Sequence, residues 1–520
     1  MLLPYALGLV IMFILFVVLS VVGRMNDTAF QSAKPSEGLI FGFIFLVSLI
    51  ASFQFASFPF SPLLVETDQT VFQYIGARMH EGLVPYTDMF DHKGIILYFI
   101  QYIALFIPQH SLGLWLIELI NIFVFSVFIY KTAGLYTSSY TIKLITVISI
   151  TCISGFFVFD GGNYTETYAI PWITISLYYF LYFIENNTFK NHSIILAGIS
   201  FTIVFFLRQN MIAVWLVFIP CIIVLLIKDK NFSGLFRCIG LFLAGCGIVL
   251  LPLLVYFLRT DSLKSMIDCY FIFNFAYSGE ASRAKQLLAA FVLIFCAGLA
   301  VPAFGMSFFC REKKKSYFYN IAFFFISLIL ASLSALTYSH YAVTLLPAMI
   351  LPIVYAVKLI YNISDKLFSK KANIKKGVAC AASVLSLAAV TVFVLNSSMF
   401  AYHKELPETV DYIIKNTEKT DDVLFLGNEC LNYYYTDRKT ENKYFYQTPP
   451  INVSDELADD FLNELKAKPS DFILASGERK TASGSDSAED RVLKYLESQC
   501  ELGNYRAEDH DGFFVYIRTE

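Results

Sequence analysis

Long apolar runs alternate with short polar breaks along this chain, and the runs have the length of a bilayer crossing. Twelve lie at roughly 4–23, 38–58, 112–131, 141–159, 168–185, 193–208, 211–227, 238–257, 287–309, 317–336, 341–361 and 377–396. About 20 apolar residues in helical form cover the hydrocarbon layer. The pattern predicts an α-helical polytopic membrane protein with about 12 transmembrane helices. The first run has no small-residue cleavage site and is long for a signal peptide, so it is read as a helix. Segment 94–109 (GIILYFIQYIALFIPQ) is apolar but short and stops at Pro108, which predicts a helix lying at the interface within a long first outer loop. Runs 193–208 and 211–227 meet at a turn of Arg208, Gln209 and Asn210.

The pattern changes after residue 397. Polar residues dominate, with short β-type runs at 422–427, 471–477 and 512–517, amphipathic helices over 406–417 and 454–467, and a loop at 478–488. This stretch is long enough for one small domain. The expected division is a transmembrane domain over 1–396 and a soluble extracytoplasmic α/β domain over 397–520.

Composition and charge sharpen this picture. The chain is 57% hydrophobic and only 16% charged, against about 25% charge in an ordinary soluble domain, so lipid must solvate most of it. A net charge of −3 argues against a nucleic-acid partner. One set of short loops holds 17 lysines and arginines, among them Lys190, Lys228, Lys230, Arg237 and the REKKK run at 311–315. The opposite set holds 7, including Arg78, Lys93, Arg208 and Lys264. The richer set faces the cytoplasm, which puts both termini and the first long loop outside. Of ten cysteines, only Cys430 and Cys500 fall in a polar region. A disulfide between them is one option if the tail is exported.

The first long loop is a polar island, Glu66–Gly94, reading ETDQTVFQYIGARMHEGLVPYTDMFDHKG. Charge so near hydrocarbon is costly and points to function. Asp91, His92 and Lys93 offer an acid, a titratable ring and a fixed cation in sequence, which suits chemistry on an anionic lipid headgroup. Asp88 reads as a turn residue after Pro85. The same outer face receives Asp160 and Glu166 from DGGNYTE, Arg208 from its turn, and His340 and Tyr341 from YSHY. A carboxylate can take the proton of an acceptor hydroxyl, and cations can neutralise charge on a departing phosphate. Two other uses stay open. A transporter or flippase of lipid-linked oligosaccharide needs charge within helices, and Glu118 is the main acid deep in a run. An envelope polysaccharide polymerase or ligase could use Arg259 and Arg283 in the 258–286 loop.

The run T-D-x-x-x-F-x-Y, followed by G-x-x-P-Y-x-D-x-F-D-H-K-G, resembles the first outer loop of the GT-C membrane glycosyltransferases. It is closest to the branch of protein O-mannosyltransferases and lipid A aminoarabinose transferases, over about residues 38–361. Gln69 departs from the acid pair found in relatives, and Ile95 departs from a proline. The resemblance implies a bacterial inner-membrane enzyme with its site and tail outside the cytoplasm. It would move a hexosyl or pentosyl group from a polyprenyl-phosphate donor, with inversion, to a glycan, lipid or protein acceptor. It implies Asp68 as general base and Glu166 as the group orienting acceptor or sugar. Lys93 would meet the lipid phosphate as a point charge and Arg208 as a fork. His92 and His340 would donate to phosphate oxygens, with Asp91 and Tyr341 in the same binding set. Asp68, Asp91 and Glu166 would also suit Mg²⁺ or Mn²⁺, so the need for a metal is open.

Overall fold

Helices occupy eleven of the twelve apolar runs in the computed structural model, which describes residues 2–61, 65, 67–107, 110–278, 282–310, 314–368, 406–448, 450–476 and 487–519. The twelfth run, 377–396, lies outside the described residues, as do Glu66, Arg311–Lys313 and most of the 478–488 loop. Among the described residues six helices are long and apolar enough to cross a membrane, or seven if one bent pair counts as a span. The expected 12 is not reached on length alone, because helices such as Asn191–Phe205 and Ala213–Lys228 are apolar but shorter.

Three of the predicted runs are irregular. Run 287–309 is two helices, Arg283–Cys296 and Ala300–Phe308, bent by 81°. Gly298 sits at the bend with φ +61°, a left-handed conformation that glycine adopts without strain. Run 141–159 is interrupted by a π-helical turn, Ser149–Ser154. The last described run starts as a 3₁₀ helix, Ser339–Met349, and continues as Ile350–Phe368. Departures of this kind inside helices often accompany functional sites.

The chain forms two compact units. The first comprises residues 1–63, 109–253 and 281–402. Its described part is a helical bundle whose centre is the 3₁₀ helix and the start of Ile350–Phe368, buried almost without interruption from His340 to Ala356. Helices Asn191–Phe205 and Phe232–Arg259 cross backbone to backbone. A Cβ on Gly198 would strike the Phe242 carbonyl, and one on Gly245 would strike that of Ile195. Close crossings at small residues are the usual means of holding helices together in lipid, where no hydrophobic drive acts between them.

The second unit comprises residues 64–108, 254–280 and 403–520, so the tail shares its unit with most of the polar island. The tail is α/β, with a sheet of Val423–Phe425 (β1), Phe472–Ser476 (β2), Tyr505–His510 (β3) and Phe513–Arg518 (β4) in the order β1-β2-β4-β3. Strands β1 and β2 run parallel, while β2–β4 and β3–β4 are antiparallel. Helices Glu408–Asn416 and Asp455–Ala467 fall where amphipathic spacing predicts them. Strand β3 (YRAEDH) was not expected, because its mostly exposed polar residues carry no hydrophobic alternation. Cys430 is buried and Cys500 half-buried, and both are free thiols, so the disulfide option is not realised.

Within this unit the island contributes helix Thr67–His80, and a second helix, Ile95–Ala104, follows directly after it. The second has ten residues, about 15 Å of helix, half a hydrocarbon layer. Gly76 lets it approach: a Cβ there would collide with Gln101. The tail grips the island through backbone and rings. Phe90 N donates to the Lys443 carbonyl at 2.8 Å, and Tyr74 stacks on Phe445 at 4.5 Å.

Candidate active site

In the second unit the chemistry concentrates at Asp91-His92-Lys93, just before helix Ile95–Ala104. The turn ahead of it is strained. Tyr86 has φ +71°, a region a bulky residue avoids at a cost of about 1–3 kcal/mol. It is held there because its ring is fully buried and its hydroxyl donates to the Lys93 carbonyl at 2.7 Å. Asp88 is the turn residue its spacing predicts, its carboxylate accepting from Val84 N at 2.7 Å.

Asp91 points inward and is 2% exposed. Its Oδ2 accepts from Tyr98 OH at 2.6 Å, and its Oδ1 from Tyr446 OH at 2.6 Å and from His92 N at 2.7 Å. Burial pushes this carboxyl up in pKa. The hydrogen bond and charge of His92, the Lys93 ammonium and the Tyr446 hydroxyl outweigh burial and hold it well below the usual carboxylate range. Asp91 is therefore ionised and fully occupied.

His92 and Lys93 are half-buried. His92 Nδ1 faces Asp91 Oδ1 at 3.3 Å, and its Nε2 lies 2.8 Å from Lys93 Nζ. The ring thus stands between the Asp91 carboxylate and the Lys93 ammonium and links the two. Asn274 Nδ2 donates at 2.8 Å to both the His92 and Tyr270 carbonyls, tying the turn to residues 254–280. Among the described residues, Lys93 has no carboxylate within ion-pair distance. Asp68 stands half-buried in the first turn of Thr67–His80, where the helix dipole favours an anion. Burial, then the charges of Asp91 and Asp68, raise the Cys430 thiol; Tyr446 is raised by burial and the same two carboxylates. Both acids thus act on one neighbourhood.

In the first unit a second polar set forms around the loop Asp160–Asn163. Four successive residues there are left-handed: Asp160 (φ 50°), Gly161 (80°), Gly162 (79°) and Asn163 (53°). Glu118 latches this loop. It is fully buried and accepts from Asn163 N and Ser57 Oγ. Gly162 leaves it room, since a Cβ there would fall on the Glu118 carboxylate and the Phe55 ring. The latch aims Asp160 at His340, whose Nδ1 is 3.2 Å from Asp160 Oδ2. Burial raises the Asp160 carboxyl, but the hydrogen bond and charge of His340 prevail and set it below its ordinary value. The His340 ring stacks on Tyr164 at 3.9 Å and on Tyr338 at 5.5 Å. Glu166, 2% exposed, is paired with Arg208 and accepts from Thr165 Oγ1 at 2.8 Å. The Arg208 guanidinium also lies 4.3 Å from the centre of the Tyr341 ring.

The residues singled out from sequence therefore fall into two groups. Asp68, Asp91, His92 and Lys93 belong to the second unit; Asp160, Glu166, Arg208, His340 and Tyr341 belong to the first. Among the described residues no three His, Cys, Asp or Glu side chains gather as a metal site. Sequence reasoning missed Tyr98, Tyr446 and Asn274, which hold the Asp91–Lys93 turn, and Tyr164, which carries His340. Tyr98 could have been suspected from its place one helical face beyond the DHK run. Tyr446, 355 residues from Asp91, leaves no local signal.

The family model of the competence-induced protein Ccs4 N-terminal domain matches residues 31–414. No curated protein matches the chain significantly. Among solved structures, ArnT from Cupriavidus metallidurans bound to undecaprenyl phosphate is similar at a TM-score of 0.58 and 10% identity, over 93% of this chain and 99% of that one. The apo state of the same protein gives 0.56 and 10%, over 93% and 98%. The Archaeoglobus fulgidus oligosaccharyltransferase in complex with Zn and sulfate reaches only 0.41 at 11% identity, over 92% and 73%. The GT-C fold expected from the outer-loop motif is thus the fold found.

Proposed function

The chain belongs to the competence-induced protein Ccs4 N-terminal domain family and has the ArnT fold, and from that premise we propose that it is an integral membrane glycosyltransferase. It moves a sugar from a polyprenyl-phosphate-linked donor to an envelope acceptor on the outer face of the bacterial inner membrane, with inversion at the anomeric carbon. One observation carries the reading: the match spans 99% of a protein whose structure was solved with undecaprenyl phosphate bound. The half-buried ammonium of Lys93, held by His92 and free of any described carboxylate, supports it from this chain's own chemistry.

In this reading Lys93 meets the lipid phosphate. A charge-assisted contact of that kind is worth about 1.5–3 kcal/mol. Asp91 acts through its neighbours as a positioning residue, because its oxygens are taken by Tyr98, Tyr446 and His92. Asp68 is the general base. The acceptor hydroxyl oxygen attacks the anomeric carbon, the bond from that carbon to the phosphate oxygen breaks, polyprenyl phosphate departs with the electron pair, and Asp68 takes the hydroxyl proton. Arg208 shares its charge with Glu166, which leaves that guanidinium less suited to neutralising a phosphate. The flippase alternative leaned on Glu118, whose carboxylate is engaged as a loop latch.

The test uses the purified full chain and polyprenyl-phosphate sugars identified by mass spectrometry of co-purified lipid. Asp68→Asn abolishes transfer while donor binding persists. Lys93→Gln weakens donor binding about 10- to 100-fold. Transfer at the wild-type rate in Asp68→Asn, or donor affinity unchanged in Lys93→Gln, overturns the assignment.

A further inference from the structure

The first unit contains a crevice of about 170 Å³ lined by Tyr179, Phe189, Ser193, Leu226, Leu235 and Phe242, among others that are nearly all apolar. Its walls come from four helices: Thr165–Asn186, Asn191–Phe205, Ala213–Lys228 and Phe232–Arg259. Along helices Asn191–Phe205 and Phe232–Arg259, every lining residue lies before Gly198 and Gly245. Those glycines mark where the two helices meet backbone to backbone, so the crossing closes one end of the crevice.

The other end opens toward the turns 187–190 and 229–231, where these helices begin and end together. Exposed cations stand at that mouth: Lys190, Lys228, Lys230 and, on the first turns of its helix, Arg237. Asp229 is the only acid in the two turns. None of the four cations pairs with a described carboxylate; Arg237 donates to Asn191 at 2.5 Å. A dry apolar slot of this size accepts hydrocarbon and not water, and a cluster of cations at its mouth attracts an anionic headgroup. By the lysine and arginine count this is the cytoplasmic side.

We propose that this crevice is a binding site for an anionic phospholipid, one acyl chain entering between the helices as far as the Gly198–Gly245 crossing and the headgroup resting on Lys190, Lys228, Lys230 and Arg237. The site is independent of the proposed catalytic residues. It requires both the closed apolar slot and the charged mouth, so the two can be tested apart.

The full chain is purified in detergent, equilibrated with an equal mixture of phosphatidylglycerol and phosphatidylcholine, and examined by native mass spectrometry. The wild type retains phosphatidylglycerol at least about tenfold better, given about fivefold per cation near a membrane surface. The combined variant Lys190→Gln/Lys228→Gln/Lys230→Gln/Arg237→Gln loses that preference. Ile239→Trp, which fills the crevice from a partly exposed position, loses retention of both lipids. Lys131→Gln, on the same side by chain connectivity and outside the crevice lining, leaves the preference unchanged. Equal retention of both lipids by the wild type, a preference that survives in the combined variant, undiminished lipid in Ile239→Trp, or an equal loss in Lys131→Gln overturns the proposal.

Discussion

The Asp91 carboxylate anchors its turn through hydrogen bonds from Tyr98, Tyr446 and His92, and removing it tests that role directly. Replacing it with alanine removes a buried anion, takes from Tyr446 the oxygen its hydroxyl meets at 2.6 Å, and leaves the Tyr98 hydroxyl only the more distant Lys93 carbonyl at 3.3 Å. Removing one partner of a buried charged network costs about 3–5 kcal/mol. Tyr446→Phe removes one of those hydrogen bonds, at about 1.5–3 kcal/mol for a bond to an ion. In the double variant the Tyr446 bond cannot be lost twice, so a double-mutant cycle should return a coupling of about 1.5–3 kcal/mol. Equilibrium unfolding of the purified full chain in mixed micelles reads all four corners. The coupling must also depend on pH. The folded-state pKa of Asp91 is depressed, so its stabilisation is complete above the ordinary aspartate pKa of about 3.9 and is lost as pH falls from there through the folded-state value. Additivity within about 0.5 kcal/mol at neutral pH would falsify the picture of Asp91 as the fixed post behind His92 and Lys93.

Other outcomes follow from single contacts. Arg208→Met leaves Glu166 buried without its cation and should cost about 3–5 kcal/mol, while adding Glu166→Gln should recover much of it; thermal unfolding that ranks the double variant below the single one contradicts the pairing. Gly162→Ala should destabilise by about 1–3 kcal/mol, because φ is +79° and the methyl would strike Glu118 and Phe55. Gly38→Ala, in a helix with nothing near its Cβ, should be neutral or better; equal effects in the two would remove the latch argument. For orientation, Arg78 is buried and a poor reporter, whereas the Lys264 side chain is 90% exposed. In a background with native cysteines replaced by serine, a cysteine at 264 should react with an impermeant thiol reagent in intact cells and one at 230 should not. The reverse pattern inverts the topology.

What the sequence determines by itself is where hydrocarbon must solvate the chain. Length and hydropathy place helices such as His110–Gly134, Thr165–Asn186 and Ala213–Lys228 within a few residues, because the cost of burying charge in lipid leaves little freedom, while Leu2–Ala33 runs well past the predicted end at 23. The same cost makes the DHK turn and the YSHY turn stand out as places where polar groups persist for a reason. Tertiary structure decides what those groups do. Nothing near Asp91 in the chain says that Tyr446 will reach its carboxylate, or that this acid will become a strut while the Lys93 ammonium meets no carboxylate among the described residues. Nothing near Arg208 says that Glu166 will take its charge. A side chain's state depends on who supplies its hydrogen bonds and counter-charge once water is gone, and those partners come from segments that only the folded backbone brings together.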